Sequence, residues 1–160
     1  LEMREGDPDW NSKRRVSHQG TFNANPASAA AGITALKIIE DGSPVRQADA
    51  AAAAIVRAVN GLFQKLSVPG SAWCVSSMWH FNLGYDAPHP SDVEWDATEE
   101  PQGVVDGLMR PLRWALFNHG VDLMGNGGMV SSAHGDAEVA DTTEAFRAAI
   151  GDLRAEGLLT

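Results

Sequence analysis

The stretch HQGTFNANPASAAAGITAL, residues 18–36, joins a polar loop to the start of a helix. Asn25 and Pro26 form a helix-start signal, because asparagine caps free N–H groups and proline is tolerated at the first helical position. The alanines that follow are the best helix formers. We therefore predict a helix over Ala27–Glu40, ended by Asp41-Gly42. One side of this helix would carry Ile33, Leu36 and Ile39.

A second helix-start signal follows at once, at Ser43-Pro44. Apolar residues then recur at helical spacing until Pro69-Gly70, which predicts an amphipathic helix up to Leu66. Its apolar face would consist of Ile55, Val59, Leu62, Phe63 and Leu66. The alanine run at residues 50–54 fits the same helix, because small side chains allow close helix packing.

The middle of the chain predicts a strand pair, a loop and a third helix. Ser71–Val75 and Trp79–Tyr85 have strand character, and Asp86 to Pro101 has the prolines and acids of an exposed loop. A second apolar stripe, closed by Gly120, indicates the helix. The stripe consists of Val105, Leu108, Met109, Leu112 and Leu116.

The last part predicts two short strands and a final helix. Val121–Met124 and Met129–Ala133 would be the strands, separated by a turn at residues 125–128. Asp136 would cap the helix and Gly157 would end it. Its inward side would carry Val139, Phe146, Ile150 and Leu153. This order of elements predicts an α+β fold in which helices pack on a small sheet.

Composition limits the function classes. The chain has 160 residues, 44% of them hydrophobic, a formal net charge of −9 and a pI near 4.8. Nucleic-acid binding needs a concentrated basic face, and the densest basic run, Lys13-Arg14-Arg15, fits a solvated loop better. No apolar run could span a bilayer, and Leu1–Glu5 lacks the apolar part of a signal peptide. We expect a cytoplasmic protein without nucleic-acid or membrane partners.

Cysteine and histidine usage predicts no metal site and no internal disulfide. The single cysteine, Cys74, is expected to be a buried structural thiol in a reducing compartment. None of the five histidines shows the spacing of metal ligands. His119 is expected at a helix end, where the helix dipole favours it. His134 could face a cleft, but capping or packing is the favoured interpretation.

Gly20 and Thr21 are the candidate ligand-binding residues. They offer two consecutive backbone N–H groups and a hydroxyl, with no side chain on Gly20 to block approach, which suits a phosphate. The same two residues fit a plain turn before a helix, so both interpretations stay open on physical grounds. The glycine-rich residues 125–128 lack the lysine and serine of a phosphate-binding P-loop and are expected to form only a turn.

Residues 18–36 closely resemble the segment that opens the C-terminal part of class III, fold-type I pyridoxal-phosphate enzymes. The branch they resemble most contains glutamate-1-semialdehyde 2,1-aminomutase and related aminotransferases. The shared features are Gly20-Thr21, Asn25-Pro26 and an alanine-glycine run at residues 29–32. The resemblance resumes over residues 116–146, with a helix end, a short strand, a serine-alanine-histidine and a final helix. Residues 75–103 match only weakly.

This resemblance implies a C-terminal small domain of a fold-type I enzyme, with pyridoxal 5'-phosphate as cofactor. Residues 1–24 would be an interface and cofactor-clamp region, and residues 25–160 the C-terminal aminotransferase-type domain. In the family, the Gly-Thr pair contacts the cofactor phosphate in the other subunit of a homodimer, so Gly20 and Thr21 would be cofactor-binding. Amino groups of a small amino acid or amine would move through Schiff-base intermediates.

The resemblance also implies what this chain lacks. The family lysine that holds the cofactor lies upstream of the Gly-Thr pair, and neither Lys13, Lys37 nor Lys65 matches it. We therefore predict no catalytic residue here, and expect the chain, which starts at Leu1 rather than methionine, to be inactive alone and part of a longer enzyme. The alternative is a non-catalytic module, derived from the same family, that dimerises or binds a partner.

Overall fold

The computed structural model describes residues 4–15, 20–21, 23–85 and 104–160. By its internal contacts the chain divides into two compact units, Leu1–Glu40 and Asp41–Thr160. The functional division expected between residues 24 and 25 stays a prediction. The loop predicted over residues 86–101 lies outside the described residues.

The first unit begins with a π-helical turn, Trp10–Arg14. The Asp7 carboxylate accepts a hydrogen bond from the Trp10 N–H at 2.9 Å, and the Arg4 guanidinium lies 3.7 Å above the Trp10 ring. In the basic run, Lys13 forms an ion pair with Asp9 at 3.0 Å and remains exposed. Lys13 and Arg14 are exposed and Arg15 is half-buried, so the run is solvated only in part.

Helix α1 spans Pro26–Ile39, which confirms the helix predicted from the capping signal. The Asn25 side-chain oxygen accepts hydrogen bonds from the N–H groups of Ala27 and Ser28, at 3.0 and 3.1 Å. No residue of α1 is buried, and Leu36 is 65% exposed. Among the described residues of the first unit none is buried, so no core is described against this apolar helix.

The second unit begins with helix α2, Ser43–Leu66, again as predicted. The residue before it, Gly42, has a φ of 73°, and the residue after it, Ser67, has a φ of 53°. A continuous apolar row along the helix enters the core. The buried residues are Ala48, Ala51, Ala52, Ile55, Val59, Leu62 and Phe63.

Three antiparallel strands form one sheet in the order β1-β2-β3: β1 is Gly70–Val75, β2 is Met78–Leu83 and β3 is Gly127–Met129. In the β1–β2 hairpin, Val75 pairs with Met78 and Gly70 with Leu83. The predicted strand to Tyr85 was too long. The chain leaves β2 at Gly84, which has a φ of 84° and donates its N–H to the Pro69 carbonyl at 2.8 Å.

Two asparagines act as strand partners at the sides of this hairpin. The Asn60 side chain donates to the Ala72 carbonyl at 2.9 Å and accepts from the Ala72 N–H at 2.7 Å. On the β2 side, the Asn126 carbonyl accepts from the Phe81 N–H at 2.8 Å, and the Asn126 side chain donates to the Phe81 carbonyl at 3.2 Å. Each asparagine therefore satisfies a backbone donor and acceptor as a neighbouring strand would.

Helices α3, Met109–Asn118, and α4, Asp136–Ala155, complete the fold. The Phe146 ring of α4 lies at the centre of the core, with its centroid 5.2 Å from that of Phe81, 5.9 Å from that of Trp79 and 6.4 Å from that of Phe63. Aromatic contacts of this kind add to the free energy of burial. The α+β fold with helices packed on a small sheet is confirmed.

The strand predicted at Val121–Met124 is wrong. The Val121 N–H donates to the Leu116 carbonyl at 2.9 Å, which closes the end of α3, and the Met124 N–H donates to the Gly127 carbonyl at 3.1 Å. These backbone donors are used within the local chain, so the segment has no strand partner for them.

The turn predicted at residues 125–128 and the strand predicted at Met129–Ala133 are also misplaced, because β3 occupies Gly127–Met129. A Cβ atom at Gly127 would lie 2.0 Å from the Trp79 carbonyl oxygen. The glycines here therefore permit close approach to β2, and the sequence pattern did not distinguish that role from a turn.

The start of α4 and the state of Cys74 also differ from expectation. The residue that precedes the helix is Gly135, which donates its N–H to the Glu138 carboxylate at 2.8 Å, and Asp136 is the first helical residue. This hydrogen bond is the main reason why the pKa of Glu138 lies below its usual value of 4.5. Cys74 is half-buried rather than buried.

Candidate functional site

The loop before α1 carries the two predicted cofactor-binding residues, Gly20 and Thr21, and both are exposed. The Gly20 carbonyl accepts a hydrogen bond from the Asn23 N–H at 3.2 Å, so the chain turns over these residues. Ala24 then takes a φ of 61° before the helix begins. His18, Gln19 and Phe22 lie outside the described residues.

The loop carries hydrogen-bond donors that no described residue accepts from. Among the described residues, the N–H and hydroxyl of Thr21 have no hydrogen-bond partner. At Gly20, a Cβ atom would lie 2.9 Å from the Asn23 side-chain oxygen, so a side chain there would displace that of Asn23. Free N–H and hydroxyl groups on one exposed turn are suitable donors for a phosphate.

The adjacent end of α1 offers fewer donors. The Asn25 side chain already accepts from the N–H groups of Ala27 and Ser28, and the Ala29 N–H donates to the Asn25 carbonyl at 2.9 Å. An anion at this place would therefore meet the donors of Gly20 and Thr21 rather than those of the helix.

The charge of the segment also fits an anion. The sequence from Val16 to Ile39 contains no aspartate or glutamate, although the whole chain has a net charge of −9. A phosphate bound at Gly20 and Thr21 would thus meet no carboxylate from this segment. The residues present fit a phosphate-bearing cofactor in both donor chemistry and charge.

The other titratable candidates form no second site. His119 ends α3 and contacts the Asp152 carboxylate at 2.8 Å, as expected of a structural residue. His134 Nδ1 accepts the Ser131 N–H at 3.2 Å within a turn. Within residues 4–15, 20–21, 23–85 and 104–160, no group of three or more histidines, cysteines or carboxylates could hold a metal ion. His18 and His89 lie outside these ranges.

One surface was missed in the sequence. An open cavity of about 660 Å³ lies on the outer side of α3, lined by Met109, Arg110, Arg113, Trp114, Phe117 and Asp122. Arg113 binds Asp122 through two hydrogen bonds, of 2.9 and 3.3 Å, which lower the pKa of the Asp122 carboxyl. This surface could have been predicted from the spacing of Arg110, Trp114 and Phe117, which lie on the side of α3 opposite its apolar stripe.

The described part of the chain contains no helix with both the length and the apolar character that crossing a membrane requires.

Curated proteins similar to this chain carry one name. This chain is 30% identical over 145 residues to glutamate-1-semialdehyde 2,1-aminomutase of Pyrobaculum aerophilum. The match covers 88% of this chain and 32% of the relative. The same enzyme of Pyrobaculum arsenaticum is 29% identical with the same coverage. The chain thus spans about a third of the length of the curated relatives it matches. No protein-family profile matches it.

Solved structures show the same partial likeness. An omega-transaminase from Sphaerobacter thermophilus matches with a TM-score of 0.68 and 25% identity, over 87% of this chain and 31% of that one. A transaminase with PLP bound matches with a TM-score of 0.67 and 21% identity, over 89% of this chain and 31% of that one. The second likeness shows the fold alone.

The sheet with its covering helices is therefore the fold of the C-terminal part of transaminases, a fold-type I architecture. The sequence relatives narrow this class. Its matches, which cover about a third of the length of glutamate-1-semialdehyde 2,1-aminomutases and of a transaminase, fit the C-terminal portion of a class III pyridoxal-phosphate enzyme. The predicted family resemblance is confirmed.

Proposed function

We propose that the chain serves as the C-terminal portion of a pyridoxal-phosphate-dependent aminotransferase or aminomutase and supplies a clamp for the cofactor phosphate. The observation that carries this proposal is the exposed turn at Gly20 and Thr21, whose donors are unused in a segment without carboxylates. The names of the relatives and of the matched structures support the reaction class. The clamp would act across a homodimer interface, on cofactor held by the other subunit.

Each residue of the clamp has a separate task in this proposal. The Gly20 and Thr21 N–H groups and the Thr21 hydroxyl would donate to the phosphate, as charge-assisted hydrogen bonds. Asn25 would hold the start of α1 and so fix where the loop meets the helix. Bound pyridoxal phosphate would supply the electron sink for moving an amino group. The substrate would be a small amino acid or amine, and the compartment the cytoplasm.

The positions of the chain's lysines support the proposal that another part of a longer protein attaches the cofactor. Lys13 forms an ion pair with Asp9, Lys37 lies on α1 and Lys65 lies in the last turn of α2. None stands at the family's lysine position, so covalent attachment of the cofactor would belong to another part of a longer protein. We expect residues 1–160 alone to show no transaminase turnover above the buffer blank.

A second candidate is a non-catalytic module that dimerises or binds a partner. The observation that favours it is α1, which presents apolar side chains and buries none of them. The coding sequence upstream of Leu1 separates the two proposals. An in-frame lysine before a glycine-rich stretch supports the enzyme, and a local start codon with a stop before it supports the module.

Thr21→Ala in the longer enzyme tests the clamp. The substitution removes one charge-assisted hydrogen bond, worth roughly 1.5–3 kcal/mol, and leaves the backbone donors in place. The affinity for non-covalently bound cofactor should fall roughly ten- to hundredfold, measured by absorbance on dilution. Ser28→Ala is the matched control, because Ser28 also carries an exposed hydroxyl but its N–H is already bound by Asn25.

The position of the clamp across the interface adds a second readout. Cofactor should tighten the wild-type dimer, and do so less in Thr21→Ala, because a ligand held by both subunits stabilises their association. Dimer dissociation with and without cofactor measures this. Unchanged cofactor affinity in Thr21→Ala would mean that the loop only leads into α1.

A further inference from the structure

Ala24 has an unusual backbone conformation at the end of the clamp loop, residues 20–24, directly before the residue that caps α1. Its φ is 61°, in the left-handed region where a residue with a Cβ atom is disfavoured. Glycine adopts this region freely, and asparagine and aspartate adopt it more readily than alanine does. The conformation is therefore imposed on Ala24 by its surroundings.

Two further described residues other than glycine have a positive φ, and the fold holds each of them in place. Ser67, with a φ of 53°, follows α2, donates its N–H to the Gln64 carbonyl at 3.2 Å and precedes buried Val68. Ser76, with a φ of 54°, lies in the β1–β2 turn, and its hydroxyl donates to the Asp49 carboxylate at 2.6 Å. A strained backbone persists where its surroundings impose it, and here packing and hydrogen bonds do so.

Ala24 has no comparable support in the part of the chain that the structure describes. Its side chain is exposed, and its N–H and carbonyl groups have no hydrogen-bond partner there. On one side, the Asn23 N–H donates to the Gly20 carbonyl at 3.2 Å, and on the other, the Asn25 side chain caps α1. Among the described residues, only this turn and this cap hold Ala24 in its conformation.

The cost of this conformation falls on the donors of Gly20 and Thr21. A change of φ at Ala24 turns the first part of the clamp loop relative to α1, because every residue before it moves with that bond. A phosphate that binds the donors in one of two arrangements shifts the population towards that arrangement. Its apparent affinity is reduced by the fraction of molecules that hold the binding arrangement beforehand.

We propose that Ala24 is a positioning residue, which makes the clamp loop close on a phosphate group instead of being fully formed without one. The inference rests on the proposed function of Gly20 and Thr21. Without phosphate, the loop exchanges between the described conformation and a relaxed one with a negative φ at Ala24. The phosphate group of the cofactor selects the described conformation, and pyridoxal, which has the same ring without the phosphate, does not.

Ala24→Gly in the longer enzyme tests this role, because glycine adopts the left-handed region without the alanine penalty. The affinity for non-covalently bound pyridoxal 5'-phosphate, measured by absorbance on dilution, should rise about fivefold, and the affinity for pyridoxal should not change. Ala24→Val should weaken the binding of pyridoxal 5'-phosphate about tenfold, since a β-branched residue is disfavoured further at positive φ. Ala30→Gly, the same change inside α1, is the matched control and should raise neither affinity.

The 160-residue chain without cofactor supplies a second measurement. Amide exchange at Ala27 and Ser28, whose N–H groups the Asn25 cap accepts, should become slower in Ala24→Gly and faster in Ala24→Val. Ala30→Gly should make exchange in α1 faster, because glycine inside a helix destabilises it. The same substitution should thus have opposite effects at positions 24 and 30, and exchange that Ala24→Gly leaves unchanged or makes faster refutes the strain at Ala24.

The outcomes for cofactor binding separate the role of Ala24 from the clamp itself. If Thr21→Ala weakens cofactor binding but Ala24→Gly does not tighten it, the clamp stands and the role of Ala24 is refuted. Equal changes in the affinities for pyridoxal and for pyridoxal 5'-phosphate also refute that role, because the effect would then not depend on the phosphate. If Thr21→Ala leaves the affinity unchanged, the clamp is refuted, and the role of Ala24 with it.

Discussion

Helices α1 and α2 follow one another in the chain, are both rich in alanine and both carry proline within their first two positions. Helix α2 sends one apolar row into the core and keeps its charged residues off that row. Helix α1 carries small and apolar residues around its circumference and buries none. The comparison teaches that local signals are enough to place a helix, whereas burial depends on what the rest of the chain provides.

Replacing core Phe146 and exposed Leu36 by alanine gives the largest contrast. Phe146→Ala should lower the free energy of unfolding by roughly 3–5 kcal/mol, because it removes an aromatic ring packed among three others. Leu36→Ala should change that free energy by less than about 0.5 kcal/mol, since Leu36 lies on exposed α1. Urea denaturation followed by tryptophan fluorescence measures both, because Trp79 contacts Phe146.

A large decrease in the free energy of unfolding in Leu36→Ala would contradict this prediction, because it would show that α1 is stabilised by burial. Helix α1 would then have to be covered in solution, for instance by association of the chain, and the loss would depend on protein concentration.

Removal of the Asn25 cap is expected to have an intermediate effect, confined to α1. Asn25→Ala leaves the N–H groups of Ala27 and Ser28 without their acceptor, at a cost of about 1 kcal/mol. A helix of 14 residues without buried contacts has little else to hold it. Amide exchange should therefore become faster along α1 and stay unchanged in α2. Asn25→Asp, which keeps the acceptor, is the control, and unchanged exchange in Asn25→Ala would contradict the prediction.

The smallest change in stability is expected at the start of α4, because the buried residues of this helix hold it in place. The pKa of Glu138 is lowered because its charged carboxylate accepts a hydrogen bond from the Gly135 N–H. The stability that this hydrogen bond contributes is present above the usual pKa of 4.5 and is lost as pH falls through the pKa of the folded state. Wild type should melt at a slightly higher temperature than Glu138→Gln at pH 7. At a pH below the folded pKa, the two should melt alike, and a difference that persists there would refute this cause.

Helices were predictable from the sequence because their signals are local. Asn25-Pro26 placed the start of α1, and the spacing of Ile55, Val59 and Phe63 placed the buried face of α2. The β1–β2 hairpin was also predicted, apart from its last two residues. In these segments the residue pattern and the tertiary contacts favour the same structure.

The segment from Val121 to Ala133 was predicted wrongly, because one local backbone contact and one contact distant in sequence decide its structure. The Val121 N–H closes α3, and Gly127 lies against the Trp79 backbone, so a run of glycines that signals a turn forms β3 instead. Neither partner is visible in the segment itself.

The candidate site was predictable only in part. Gly20 and Thr21 alone were compatible with a plain turn, and the family resemblance made them a cofactor site. Their donors are unused in the described structure, a property that no residue pattern reports. The outer side of α3 could have been found by examining the positions opposite its buried leucines.

Asn60 has a consequence for how the sheet can meet a strand from another chain. Strand β1 is the outermost strand of the sheet, and an unpaired strand side is a template on which another chain can add and begin a fibril. Asn60 occupies the backbone groups of Ala72, in the middle of that side, with its own side chain. An incoming strand would first have to displace the Asn60 side chain from these two backbone groups. A single side-chain amide thus covers the middle of the β1 side that, in the described part of the chain, pairs with no strand.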